Sequence, residues 1–346
     1  MNNNTIIDLF KNKQKTEIPI WFLRQAGRHI PEYFSIRNKS RNFIDFCLNT
    51  DLVVESTKLP LKYYNLDAAI VFSDILMIPW AMKRNVSFIK NVGPTMDGMI
   101  PDETYINKNI DINLSMKPLE KAINILRQDL PKSISLIGFS GAPWTLACYM
   151  IEGKTSKDFI NTRKAIWNSN KWLKELIDTL TIYIVQILEM QARAGADILM
   201  IFDSWSHMIP NDFFKDLAID PIAKIVNMLR ARNINVPIIG FPFKAGGSII
   251  EYSYESCVDC ISLDWTVDLN WALKNINSSI AVQGNLDPAS LIPKNNPFLQ
   301  KSVLSILNIM KEKKFIFNVG HGITPECKIE NLQKVVNIVK EFKSDY

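Results

Sequence analysis

Arg24 and Arg28 stand four residues apart around Gln25-Ala26-Gly27. Two guanidiniums at that spacing, beside a glycine, can converge on carboxylates through paired hydrogen bonds. Arginines on the surface of a loop are the plainer alternative. Asp74 follows one apolar run and precedes another, Ile75–Trp80. A carboxylate placed there is expected to be partly buried and to want a cation or several N–H donors. Capping a helix N-terminus is the competing job for an Asp at such a position. His321 lies between Gly320 and Gly322 and can hydrogen-bond a ligand or shuttle protons. A histidine held only for structure fits the same pattern. Tyr149 and Ser204 add one hydroxyl each.

The elements that must position these residues are legible as alternation. Short β-branched, apolar runs recur at Ile18–Leu23, Ala68–Ser73, Ile134–Phe139, Asp197–Phe202, Val236–Phe241, Cys260–Leu263, Ile280–Gln283 and Phe315–Val319. Near-continuous hydrophobicity marks strands buried on both faces. Stretches of helical spacing lie between them: Asn42–Tyr64, Pro118–Gln128, Thr155–Ala194, Asp212–Arg232, Ser248–Glu255, Asn296–Lys313 and Pro325–Phe342. Eight strands alternating with helices predict a parallel (β/α)8 barrel. A doubly wound open sheet is the runner-up, and no strand is followed by the GxGxxG turn that would favour it. In a barrel the site lies past the C-terminal ends of the strands. Arg24 to Arg28, Asp74, Ser140 to Thr145 with Tyr149, Asp203-Ser204, Pro242 to Gly247, Asp264-Trp265, Gly284-Asn285 and Gly320 to Gly322 all fall there.

No linker, low-complexity tract or charge block divides the 346 residues, so a single domain over 1–346 is expected, with 1–16 a short polar lead-in helix or tail. The segment Asn85–Pro101 is expected to be an irregular insertion. The chain is 47% hydrophobic and 22% charged, which excludes a disordered chain, a collagen-like repeat and a coiled-coil rod. No apolar stretch approaches the ~20 residues that span a bilayer, and residues 1–15 carry no signal-peptide core. The net charge of +5 comes without a long basic run, so no nucleic-acid partner is expected, while an acidic small substrate is compatible. The five cysteines are scattered and odd in number, which fits a reducing cytoplasm better than a disulfide framework. Cys257-Val258-Asp259-Cys260 is one CxxC with no second pair, and HExxH, GxSxG and P-loop motifs are absent from the sequence.

Longer segments carry a resemblance. Pro19 to Arg28, followed by Pro31-Glu32-Tyr33, and Gly138 to Leu146, with Tyr149 and Glu152-Gly153, resemble the two signatures of the uroporphyrinogen decarboxylase family, bacterial type. Phe72 to Leu76, Ser262 to Trp265, Gln283 to Pro288 and Phe317 to Gly322 look like that family too. The matches run in order over nearly the whole chain. Leu23 stands where Met is usual, His29 where Tyr is usual, and Ser206-His207 where small residues are common. The resemblance implies a single-domain (β/α)8 homodimer, cytoplasmic, that removes carbon dioxide from the four acetate side chains of uroporphyrinogen III, giving coproporphyrinogen III on the route to haem. It implies no metal and no prosthetic group. Decarboxylation needs an electron sink, usually a cofactor; here a protonated pyrrole of the substrate itself can serve. By position, Arg24 and Arg28 would bind substrate carboxylates, Gln25, Ala26 and Gly27 would complete that substrate-binding loop, and Asp74 would face the pyrrole N–H groups and stabilise the cation. Tyr149, Ser204 and His321 would hydrogen-bond the substrate. The proton donor stays open between an Arg, a water and a substrate carboxylic acid. Two alternatives remain: a corrinoid-dependent methyltransferase relative, which would need a His and two Cys on zinc, and a tetrapyrrole-binding barrel without activity.

Overall fold

A computed structural model describes residues 4–11, 17–89, 92–168 and 170–342. Seven parallel strands form one curled sheet in the order β1 (Ala68–Ile70), β4 (Ser135–Gly141), β5 (Ile198–Asp203), β6 (Ile238–Pro242), β7 (Cys260–Ser262), β8 (Ala281–Leu286) and β9 (Phe315–Val319). A separate antiparallel ribbon pairs β2 (Ser87–Ile89) with β3 (Gly93–Thr95). It lies inside the segment expected to be irregular. Strands β6 to β9 bury every residue, as their near-continuous hydrophobicity predicts for a sheet packed on both faces.

The first expected strand, Ile18–Leu23, departs from the prediction. It forms a single parallel bridge, Ile20 to Phe317, rather than a ladder. Side chains take the places of ladder partners. The Ile20 N–H donates to the Asp67 carboxylate at 2.7 Å and the Leu23 N–H to the Asn318 amide oxygen at 2.9 Å. Backbone bonds complete the seam: Phe317 N–H to Pro19 O at 2.8 Å on one side, Asp67 N–H to Ile20 O at 2.9 Å on the other. Residues 18–23 thus stand between β9 and the start of β1 and close the barrel. Lys340 reaches from the helix Ile329–Glu341 to hold both Asp67 oxygens, at 2.6 and 2.7 Å.

Strand β1 is shorter than expected, because the Phe72 N–H leaves the ladder for the Thr57 hydroxyl at 2.9 Å. The helical stretch expected over Asn42–Tyr64 is also divided. Asn42 and Asn49 each cap a helix, Phe43–Cys47 and Thr50–Lys58, by accepting from the backbone three residues on. Helices Ile160–Asn168 and Asn170–Arg193 occupy the stretch expected over Thr155–Ala194. Within the lead-in, Thr5–Phe10 is helical, and residues 1–3 and 12–16 lie outside the described set.

Candidate active site

The loop after residues 18–23 is a clamped turn. The Gln25 N–H bonds to Phe22 O at 3.1 Å. The fully buried Gln25 side chain accepts from the Phe22 N–H at 3.2 Å and donates to Ala68 O at 3.0 Å. Gln25 therefore ties the loop to β1. Arg24 occupies the apex at φ +59°, a left-handed conformation that costs a non-glycine residue on the order of 1 kcal/mol. Its stem runs over Gly322: a Cβ there would meet Arg24 Cγ at 2.6 Å and Nε at 2.9 Å. Only glycine lets the arginine lie in that channel. Arg24 and Arg28 are both exposed, and neither forms an ion pair or hydrogen bond among the described residues. Ala26 and Gly27 are half-buried between them.

Asp74 follows β1 on a loop wedged by Phe72, whose ring packs 4.8 Å from Phe46. One carboxylate oxygen accepts the Leu76 N–H at 2.9 Å. The helix Met77–Ala81 begins later and takes no side-chain cap from Asp74. The turn thus uses one oxygen and leaves the other without a partner among the described residues. Surface area leaves the residue partly open, yet protein packs closely enough around the carboxyl to raise its pKa from the usual 3.8 to about 6. Burial is the main cause, opposed by the Leu76 N–H and the Arg24 charge.

Tyr149 comes from the helix Pro143–Glu152, which starts at a proline just past β4 and stops at Gly153 in the left-handed region, φ +72°. Burial raises its hydroxyl pKa, and the nearby Asp74 charge adds to the rise while Arg24 opposes it. Its ring stands edge-on to Trp205 at 5.9 Å. His321, past β9, packs on Phe243 at 4.7 Å and Trp265 at 6.1 Å. Burial lowers its pKa to about 4, and the Arg24 and Lys244 charges push the same way, so the imidazole is neutral at pH 7. Arg24, Asp74, Tyr149 and His321, from four separate parts of the chain, therefore share one electrostatic neighbourhood. Arg28 sits further out, where its charge acts on Tyr33 and Glu326. Ser204 follows β5 directly, half-buried and without a hydrogen bond among the described residues.

Two groups were placed past strand ends by the sequence reading but given no role. Asp203, at the end of β5, is buried and raised to about 7 by that burial. Thr145 donates to it at 2.6 Å and accepts the Trp205 N–H at 3.1 Å, which fixes the ring against which Tyr149 packs. Lys244, past β6, presents its ammonium to the faces of Trp265 at 4.9 Å and Phe243 at 5.4 Å. Their position past strand ends was the available signal. Among the described residues no group of three or more His, Cys, Asp and Glu could hold a metal. The cysteines are free thiols, and only Cys257 is exposed.

An α/β barrel with unpaired arginines, a desolvated carboxyl and a neutral histidine past the ends of its strands has the layout of a barrel enzyme. The model of the family described as uroporphyrinogen decarboxylase (URO-D) matches residues 1–342. Uroporphyrinogen decarboxylases of Rickettsia africae and Rickettsia felis are each 38% identical, over 327 and 331 residues, covering 94% and 96% of this chain and 94% and 95% of theirs. The chain belongs to the uroporphyrinogen decarboxylase family, and its activity is that of a carboxy-lyase. Among solved structures, a methyltransferase from Methanosarcina mazei superposes with a TM-score of 0.80 over 98% of both chains at 16% identity. That likeness shows the barrel-like fold alone.

Proposed function

We propose that this cleft binds uroporphyrinogen III and converts its four acetate side chains to methyl groups, with Asp74 as the electrostatic centre. The observation that carries the assignment of roles is the free, largely enclosed oxygen of Asp74 beside an unpaired Arg24. For each acetate, a proton added to a pyrrole ring carbon makes a cation. The bond to the carboxylate carbon then breaks, carbon dioxide leaves, and the electron pair neutralises the ring. A second proton completes the methyl group as the first is lost from the ring, so one proton is consumed for each carbon dioxide released. Asp74 accepts from the pyrrole N–H groups and offsets the developing positive charge. Arg24 and Arg28 hold carboxylates; Tyr149, Ser204 and the neutral His321 supply hydrogen bonds that orient the macrocycle. The Gln25-Ala26-Gly27 stretch acts through its backbone and by setting the two arginines. Incubation with uroporphyrinogen III under anaerobic, reducing conditions tests this. Stepwise loss of carboxylates supports the reading, and binding without turnover would favour a tetrapyrrole carrier instead.

The same reading takes 1–346 as one barrel domain, working in the cytoplasm as a homodimer. A monomeric mass by light scattering at micromolar concentration would refute the dimer.

A further inference from the structure

Lys244 belongs to none of the family motifs quoted above, yet its placement is built. Its backbone sits in the left-handed region at φ +57°. The Lys244 N–H donates to the buried Asp264 carboxylate at 2.9 Å, which pins that turn. The other Asp264 oxygen accepts from the Thr266 N–H at 2.9 Å and from the Thr266 hydroxyl, so Asp264 is committed to the backbone. The side chain is exposed and makes no ion pair among the described residues. Instead its ammonium lies over Trp265 and Phe243, the two rings that pack against His321. A lysine stem laid along aromatic faces loses less freedom on meeting an anion than a free arm does. Arg24 and Lys244 both act on His321, so that histidine lies within reach of both cations.

We infer that Lys244 is a third carboxylate-binding residue, gripping an acid side chain of the macrocycle at the Trp265 and Phe243 wall that it shares with His321. The inference rests on the tetrapyrrole reading of the cleft. Uroporphyrinogen carries a propionate beside each acetate, and the propionates survive the reaction. A cation laid on the Trp265 and Phe243 rings rather than paired with Asp74 suits a retained propionate, held through all four decarboxylations while the reacting acetate faces Asp74.

The test compares wild type with Lys244→Gln, Lys244→Arg and a surface control, Lys301→Gln. Two readouts are taken: steady-state decarboxylation, and quenching of tryptophan fluorescence by coproporphyrin, a stable macrocycle that keeps the propionates. Lys244→Gln is expected to lower kcat/KM by about 10- to 100-fold, mainly through KM, the loss usual for one charge-assisted hydrogen bond. It should weaken coproporphyrin binding by a similar factor and flatten the salt dependence of both. Lys244→Arg should recover most of the loss, and Lys301→Gln should change nothing. Wild-type kcat/KM and coproporphyrin affinity in Lys244→Gln would overturn the inference. A kcat/KM loss confined to the first steps, with coproporphyrin affinity unchanged, would overturn the assignment to a retained side chain. If wild type binds coproporphyrin without turning substrate over, the decarboxylase reading fails and the binding comparison still decides Lys244.

Discussion

Replacing Asp74 with Asn should make the protein more stable and far less active. The carboxyl is held at about 6 against 3.8 when unfolded, so the folded state grips its proton more tightly. At pH 7 the ionised form is therefore penalised by about 3 kcal/mol, at ~1.4 kcal/mol per pKa unit. Asn carries no charge to penalise, and its amide oxygen can still accept the Leu76 N–H that closes the turn. For a chain of this length, that difference corresponds to a rise in Tm of about 4 °C. The sign follows the raised pKa. Wild type loses the contribution as pH climbs from about 4 through about 6, so the two proteins should melt together below pH 4 and separate fully above pH 6. Activity should fall ~10²- to 10³-fold, the usual worth of one preorganised electrostatic contact to a developing charge. Calorimetry across pH 3.5–8, beside steady-state decarboxylation, measures both. An Asn variant that melts below wild type at pH 7.5, or turns over at the wild-type rate, would refute the reasoning.

Arg28→Lys keeps the charge and loses the planar fork, so kcat/KM for decarboxylation should drop at least ~10-fold; unchanged kinetics would remove Arg28 from the carboxylate clamp. The acid limb of kcat/KM should fall near pH 6 as Asp74 takes up its proton. His321→Gln should leave that limb in place, because His321 is already neutral above about pH 4; a limb that moves with His321 in a pH–rate profile would contradict this. Gly322→Ala pushes a methyl group into the Arg24 stem. It should cost at least ~10-fold in kcat/KM while Tm changes by no more than ~2 °C, since an exposed side chain is displaced; full activity would mean Arg24 needs no such channel.

Most of the fold was legible because parallel strands buried on both faces are continuous apolar runs, and seven of the eight expected runs are ladder strands. The exception is instructive. Ile18–Leu23 has the composition of a strand, but the partners that replace its ladder are the side chains of Asp67 and Asn318, and composition cannot announce a hydrogen bond to a residue almost 300 positions away. The helix break at Asn49 was hidden by unbroken helical spacing. At the site, chemical type and place past a strand end picked out Arg24, Asp74, Tyr149 and His321, which the fold gathers into one neighbourhood. Gln25 differs. The family resemblance placed it in the substrate-binding loop, and its side chain ties that loop to the backbone of Phe22 and Ala68. Asp203 and Lys244 were passed over because single charges after strands have no signature until the fold shows what surrounds them.

The closing seam bears on the order in which the molecule assembles. Asp67 joins Ile20 across 47 residues and Lys340 across 273. Contacts this distant in the chain are disfavoured early, because a long loop must be ordered before they form. The arginine loop hangs from that seam, so refolding should produce a largely formed β-sheet before Arg24 is in place. Catalytic competence would then lag behind secondary structure. Stopped-flow circular dichroism set against recovery of decarboxylase activity would expose that lag, and coincident recovery of the two would show that the seam zips with the rest of the barrel.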